Sequence, residues 1–241
     1  MPSTHYAEFH ADPALHGRVR RLWRFRQGEE AQPTRVLPDG CIDLIWDGRR
    51  LFVAGPDRAA VMADLAPGSR LTGLRLAPGA GAAVLGVPLH TLTDRRVALE
   101  DVWGHRARCL QARLEDGADP AALLQAEIAS RHIVPDRSMA WLFARLAGAD
   151  APRVRALARE LEVSERTLRR QCQDAFGYGA KTLERILRLQ RFLALAREHR
   201  TLTDAALEAG YADAAHLAHD TRLLTALAPQ RLVGLHARSD R

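Results

Sequence analysis

The stretch from Val154 to Gly177, VRALARELEVSERTLRRQCQDAFG, constrains the fold most, because its pattern encodes two helices with a turn between them and then recurs. Val154, Leu157, Ala158 and Leu161 stand at i, i+3, i+4 and i+7, one apolar face of a helix. The residues LEVS break that pattern. Ser164 offers an N-cap oxygen to the free N–H groups of a following helix, on which Leu168, Cys172 and Ala175 continue an apolar face, and Gly177 suits a left-handed stop. Two short helices joined by a tight turn, the second one basic, are the pattern of a helix-turn-helix. The pattern returns in TDAALEAGYADAAHLAHDTRLLTALAP, with Thr203 as cap, an apolar face from Leu202, Ala206 and Leu207, a turn at Gly210-Tyr211, and a second helix from Asp213 that buries Leu217. Between the units, Leu183, Ile186, Leu187, Gln190, Leu193 and Leu195 form a helical stripe. A connecting helix of about 18 residues spans roughly 27 Å, a rod suited to placing two second helices about one DNA turn, ~34 Å, apart.

Burial of Leu168 and Cys172 leaves Glu165, Arg166, Arg169, Arg170 and Gln173 facing outward. Arginine bonds both major-groove acceptors of guanine or clamps a phosphate; the competing reading of one such helix is a solvated basic face. Charge distribution favours a polyanionic partner. The chain has pI near 10.0 and net charge +6, and residues 152–241 carry 16 basic and 11 acidic side chains against 19 and 18 before them. Of the 35 basic residues only Lys181 is lysine.

With both units in order, the last ninety residues resemble the DNA-binding domain of the AraC/XylS family of transcription regulators. The resemblance rests on Ser164, Arg166, Leu168, Arg170 and Gly177, then on Ala206, Gly210-Tyr211, His216-Leu217 and Pro229. It implies that both second helices enter successive major grooves on one face of DNA. Arg166, Arg169 and Arg170 would then reach bases or phosphates from the first unit, while Asp213, Ala214, Ala215, Ala218 and His219 occupy the matching positions of the second. Glu162 stands where the family's first turn has glycine, Cys172 and Thr221 replace large aromatics, and Ala226 replaces a glycine before Pro229. The second helix of the second unit offers alanines, so the first unit is expected to supply most sequence reading and the second to grip phosphate or read thymine methyls.

Residues 148–152, GADAP, read as a short linker that divides residues 1–150 from 151–241. In the first part, Asp12-Pro13 marks a helix start, with a short helix expected through Val19 and Leu22. RLWRFRQ, CIDLIW, RLFVAG and RLTGLRLAP, separated by P-D-G, D-G and G-P turns, suit β-strands. APGAGAAVLGVPLHTLTD suits short helices, and RARCLQARLED, a helix capped at Asp119-Pro120, and RSMAWLFARLAG are helical. The stretches VLPDGCIDLIWDG, VAGP, GLRLAPGAGAAVLGVP and LTDRRVALEDVWG resemble the β-rich N-terminal domain of some poorly characterised members of the same family. That implies a regulatory or dimerising domain. The fold class expected is therefore α+β: a mixed, partly β N-terminal domain followed by helices, then an all-α C-terminal domain with two helix-turn-helix units joined by a linker helix.

Trp23, Trp46 and Asp43 are the candidates for an effector site, with core packing as the competing role for the tryptophans. Cys41, Cys109 and Cys172 show no C-x-x-C spacing and suit buried free thiols. No metal site or cofactor is expected; His216 and His219, three apart on a helix, are the nearest to a metal pair. The absence of an apolar run of 18 residues and of a signal-like start, MPSTHYAEFH, points to a cytoplasmic protein with no membrane partner. Double-stranded DNA is the expected partner, with RNA polymerase, a small-molecule effector and a second copy of the chain as further candidates; the helices between His105 and Gly148 are where a second copy would pair. The competing classes are a DNA-docked enzyme with Cys41 as nucleophile in a repair-type methyl transfer, and a helical protein-interaction module.

Overall fold

The computed structural model describes residues 4–29, 33–198 and 201–239, with side chains up to 236. Eight strands occupy the first hundred residues: β1 His5–Phe9, β2 Val19–Arg26, β3 Thr34–Val36, β4 Asp43–Trp46, β5 Leu51–Ala54, β6 Val61–Ala63, β7 Arg70–Leu76 and β8 Arg96–Ala98. Six form an antiparallel sheet in the order β1-β2-β7-β4-β5-β8, and β3 pairs with β6 in a separate ribbon. Period-2 alternation sorts the side chains of the sheet. Leu22, Leu44, Trp46, Leu51, Val53, Leu74 and Leu76 enter the main core, whereas Trp23, Ile45 and Phe52 cluster on the opposite face.

Helices α1 Gly81–Leu85, α2 Leu99–Trp103, α3 His105–Glu115 and α4 Pro120–Ala129 follow. Ala107, Leu110 and Leu114 of α3 and Leu123, Leu124 and Ile128 of α4 fill the core against the sheet. Their apolar faces are thus covered within the chain. Asp119 caps α4 through its bond from Ala122 N, with Pro120 in the first turn. The helix expected through Val19 and Leu22 is instead strand β2, and Asp12-Pro13 opens only a single 3-10 turn over Pro13–Leu15. The spacing of Val19 and Leu22 has a different cause. A β-bulge between Val19 and Arg21 lets both side chains reach the same core three residues apart.

The remaining helices are α5 Arg137–Ala147, α6 Val154–Glu160, α7 Glu165–Phe176, α8 Ala180–Leu195, α9 Leu202–Glu208, α10 Ala214–Thr225 and α11 Pro229–Ser239. They share one core, and that core begins at Met139: Met139, Leu142, Phe143 and Leu146 of α5 pack with Leu157, Leu168, Phe176, Leu183 and Ile186. Arg191 of α8 binds the carbonyls of Gly148, Ala149 and Leu146, fastening the end of α5 and the segment after it to the helical core. The second unit departs from expectation in two places. Thr201, not Thr203, caps α9, and Leu207 is 56% exposed while Ala205 and Ala206 make the buried face. Of the three free thiols only Cys172 is fully buried; Cys109 is exposed and Cys41 half-buried. Among the described residues no helix is long and apolar enough to cross a membrane.

Candidate nucleic-acid interface

Each pair α6–α7 and α9–α10 is built by the same backbone devices. After α6, Val163 N bonds Ala158 O at 2.9 Å and Glu162 N bonds Arg159 O at 3.0 Å; after α9, Tyr211 N bonds Ala206 O at 2.9 Å and Gly210 N bonds Leu207 O at 3.0 Å. This is the two-bond stop that needs a left-handed residue. Glu162 takes it at φ 54° and Gly210 at φ 90°. Ser164 Oγ then caps α7 from Thr167 N at 3.1 Å, and Asp213 Oδ1 caps α10 from His216 N at 2.7 Å. The second turn is one residue longer, since Ala212 separates Tyr211 from the cap. Gly177 at φ 84° and Ala226 at φ 58° end the two second helices in the same left-handed conformation.

The arginines of α7 meet the geometric requirement for a reading face. Arg166, Arg169 and Arg170 are all exposed, and at 3.6 residues per turn they lie within about 100° of one another around the axis. Glu165 is exposed beside them and Gln173 is half-buried. Leu168 and Cys172 are fully buried beneath. Among the described residues none of the three arginines is paired with a carboxylate. Several arginines of the sheet domain are held by carboxylates instead: Arg75 by Asp43, Asp39 and Glu8, Arg96 by Asp57, Arg58 by Asp94 and Arg106 by Glu127.

On α10, Ala214, Ala215 and His219 are exposed and Ala218 is half-buried. His216 and His219 diverge: His216 packs its ring against Tyr211, centroids 5.1 Å apart, with Nε2 2.9 Å from Arg188 NH1. The inward side of α10 carries a charge network that the sequence reading missed. Asp220 is 3% exposed; its Oδ1 lies 3.2 Å from Arg185 Nε, and its Oδ2 lies 3.9 Å from Arg188 and 3.6 Å from His216. Arg188 in turn pairs with Glu184. The signal was in the sequence as Glu184, Arg185 and Arg188 on the linker helix and a carboxylate one residue before Thr221, but only the packing of α8 on α10 shows that they meet.

The sheet domain holds both second helices at their C-terminal ends. Thr93 Oγ1 donates to Gly177 O at 2.9 Å and His90 Nδ1 lies 3.2 Å from Asp174 Oδ1; Ala60 N donates to Leu224 O at 2.7 Å and Arg35 NH1 to Thr225 O at 2.8 Å. A Cβ at Gly177 would stand 2.5 Å from Pro56 and Thr93, so only glycine admits this approach. Gln190 Nε2 of the linker helix donates to Pro38 O at 2.7 Å. The N-terminal ends, where Ser164 and Asp213 sit, stay exposed.

Trp23, Trp46 and Asp43 are not brought together. Trp23 and Trp46 point to opposite faces of the sheet and both are nearly buried. Asp43 accepts from Trp23 Nε1 at 3.2 Å and pairs with Arg75, and burial pushes its carboxyl above the usual range. Trp23 alone lines a cleft, of about 130 Å³, with Phe9, Leu22, Arg24, Thr72 and Ala121. At Cys41 the P-D-G turn explains the flanking aspartates: Asp39 Oδ1 accepts from Cys41 N at 2.9 Å and Gly40 has φ 78°. Burial and the charge of Asp39 push the Cys41 thiol far above the ordinary cysteine range, against a role as nucleophile.

Comparison with known proteins agrees with this geometry. Residues 157–233 match the family described as helix-turn-helix domain, and residues 7–98 match a domain of unknown function (DUF6597). The carboxy-terminal region is a helix-turn-helix domain of the AraC type. No curated protein matches the chain. Among solved structures it is similar to ToxT from Vibrio cholerae O395, at 9% identity and TM-score 0.45 over 96% of this chain and 97% of that one. It is also similar to unsaturated fatty acid bound ToxT from Vibrio cholerae strain SCE256, at 11% identity and TM-score 0.45 over 87% and 93%.

Proposed function

We propose that this AraC-type chain is a sequence-specific DNA-binding transcription regulator of the cytoplasm rather than an enzyme. The observation that carries this reading is the unpaired arginine face of α7, repeated in backbone geometry by α10. The first unit contacts DNA through Ser164, Glu165, Arg166, Arg169, Arg170 and Gln173, and the second through Asp213, Ala214, Ala215, Ala218 and His219. Ser164 caps α7 with a neutral hydroxyl, so that helix end can favour phosphate, whereas the Asp213 carboxylate occupies the corresponding end of α10. Residues 1–150 regulate and residues 151–241 bind, with α5 as the piece of the first part built into the core of the second. Regulation acts through the carbonyl contacts at Gly177, Leu224 and Thr225, by a small molecule or by a second copy, because a shift of Thr93 is passed to α7 and a shift of Arg35 or Ala60 to α10. RNA polymerase is the expected downstream partner.

Selection of bound duplexes from a random pool tests the reading: one sequence should emerge, and its affinity should fall steeply with salt as phosphates release counterions. A shallow salt slope or an unenriched pool overturns it, and failure to retard any duplex in a gel supports a protein-interaction module instead. For the enzyme alternative, thiol labelling near neutral pH should find Cys109 well before Cys41 and Cys172; fast labelling of Cys41 would revive that reading. Burial pushes the Cys172 thiol up to about 12.

A further inference from the structure

Aligned on their caps, Ser164 with Asp213, the two second helices set Arg166 against Ala215, Arg169 against Ala218 and Arg170 against His219. The centre of the outward face of α10 therefore presents methyl groups. Its polar side chains stand at the flanks: His219 and the Arg222 guanidinium are exposed further along the helix, and Arg185 of α8 remains 38% exposed with its Nε fixed on Asp220. His216 is drawn toward Arg188 and Tyr211. Long cations at the flanks can reach phosphates, but the central positions can neither grip a phosphate nor bond a base edge. Small side chains also let the helix approach the groove floor closely. The apolar group that a base pair shows in the major groove is the C5 methyl of thymine.

We infer that the second unit reads thymine methyl groups through Ala214, Ala215 and Ala218. The operator is then chemically bipartite: a guanine-bearing half-site under the arginines of α7, and a thymine-bearing half-site under the alanines of α10, about one turn away. This inference rests on the DNA-binding reading above, and its test separates the two. The full chain is used with the duplex selected from the random pool. Arg170→Ala marks the first half-site as the one whose sequence preference relaxes, and the other belongs to the second unit. There each dT is replaced by dU, which deletes the methyl and leaves every hydrogen-bonding group in place.

Each methyl in contact should be worth about 3–5-fold in affinity, the worth of one buried carbon, and losses at separate positions should multiply. The same replacement in the first half-site should change affinity less than about two-fold. A 5-methyl-dC·dG pair in place of dT·dA should bind better than dC·dG, because it keeps the methyl where the thymine had it. Affinity unchanged by dU across the second half-site, with salt-dependent binding of the selected duplex intact, overturns methyl reading and leaves DNA binding standing. A pool that yields no sequence overturns both.

Discussion

The two helix-turn-helix units share a backbone and exchange their polarity. In the first, α7 is charged outside and apolar inside, with Leu168, Cys172, Ala175 and Phe176 buried. In the second, α10 shows alanines outside, and its buried side includes Asp220, Thr221 and Thr225. Among the described residues only Gln27 joins these three as a buried polar side chain. The two threonines cost little, since Thr221 Oγ1 donates to Leu217 O and Thr225 Oγ1 to Thr221 O, both at 2.7 Å. Asp220 is different: it is balanced by arginines of the linker helix, and its Oδ2 has no hydrogen-bond partner. The comparison teaches that what the units share is caps, left-handed turns and a buried leucine four residues after each cap, Leu168 and Leu217. The rest of each helix is free to place its charge on either side, toward DNA or toward the protein.

The largest test of that contrast is thermodynamic. Asp220→Ala leaves Arg185 without its carboxylate while Arg188 keeps Glu184, and should cost about 2 kcal/mol, less than breaking a fully buried pair because Arg185 is partly solvated. Gln171→Ala, at the matching position of α7, should stay within about 0.5 kcal/mol. Urea unfolding compares the two, and equal costs would mean that the network does not hold α10. A similar asymmetry is expected on DNA. Arg170→Ala should lose about 1–3 kcal/mol of binding and relax one position of the selected site. His219→Ala, its counterpart, should stay under about 1 kcal/mol. Binding-site selection showing the reverse ends the division of labour. Grafting charge sharpens it: Ala215→Arg, if the new side chain meets a phosphate, should steepen the slope of log K against log salt by about 0.9.

What was legible in the sequence was local. Helical spacing, Ser164 as a cap, a helix starting from Asp213, Gly177 as a stop and the arginine face of α7 are short-range patterns, and the structure has each of them. β2 from Arg21, β4, β5 and β7 were legible in RLWRFRQ, CIDLIW, RLFVAG and RLTGLRLAP as short apolar segments between turn residues. The rest depended on distant partners. A bulge in β2 imitated helical spacing, because one extra residue turns period two into three. The edge and ribbon strands β1, β3, β6 and β8 are too short or too exposed to show an alternating buried face. Leu207 lay in the apolar pattern of α9, yet the two alanines beside it suffice for the close packing of that helix. Asp220 was invisible as a core residue, since a carboxylate on a helix is ordinarily solvated and only the arginines of α8, some thirty residues earlier, explain its burial.

The smallest effects fall on the turns, where the left-handed position is Glu162 in one unit and Gly210 in the other. Gly210 at φ 90° has open space around it, so Gly210→Ala meets no clash and should cost about 1 kcal/mol from the left-handed backbone alone. Glu162 already bears that strain at φ 54° with its side chain in solvent. Glu162→Gly relieves it, but glycine also gives the unfolded chain more freedom, which offsets about 0.5–1 kcal/mol. The net gain should be about 0.5 kcal/mol, a shift of one to two degrees in Tm for a chain of this size. Two opposite changes at equivalent positions thus measure one backbone preference. If Glu162→Gly instead destabilised by 1 kcal/mol or more, the side chain of Glu162 would have to be making a contact that stabilises the first turn, and the equivalence of the two turns would fail.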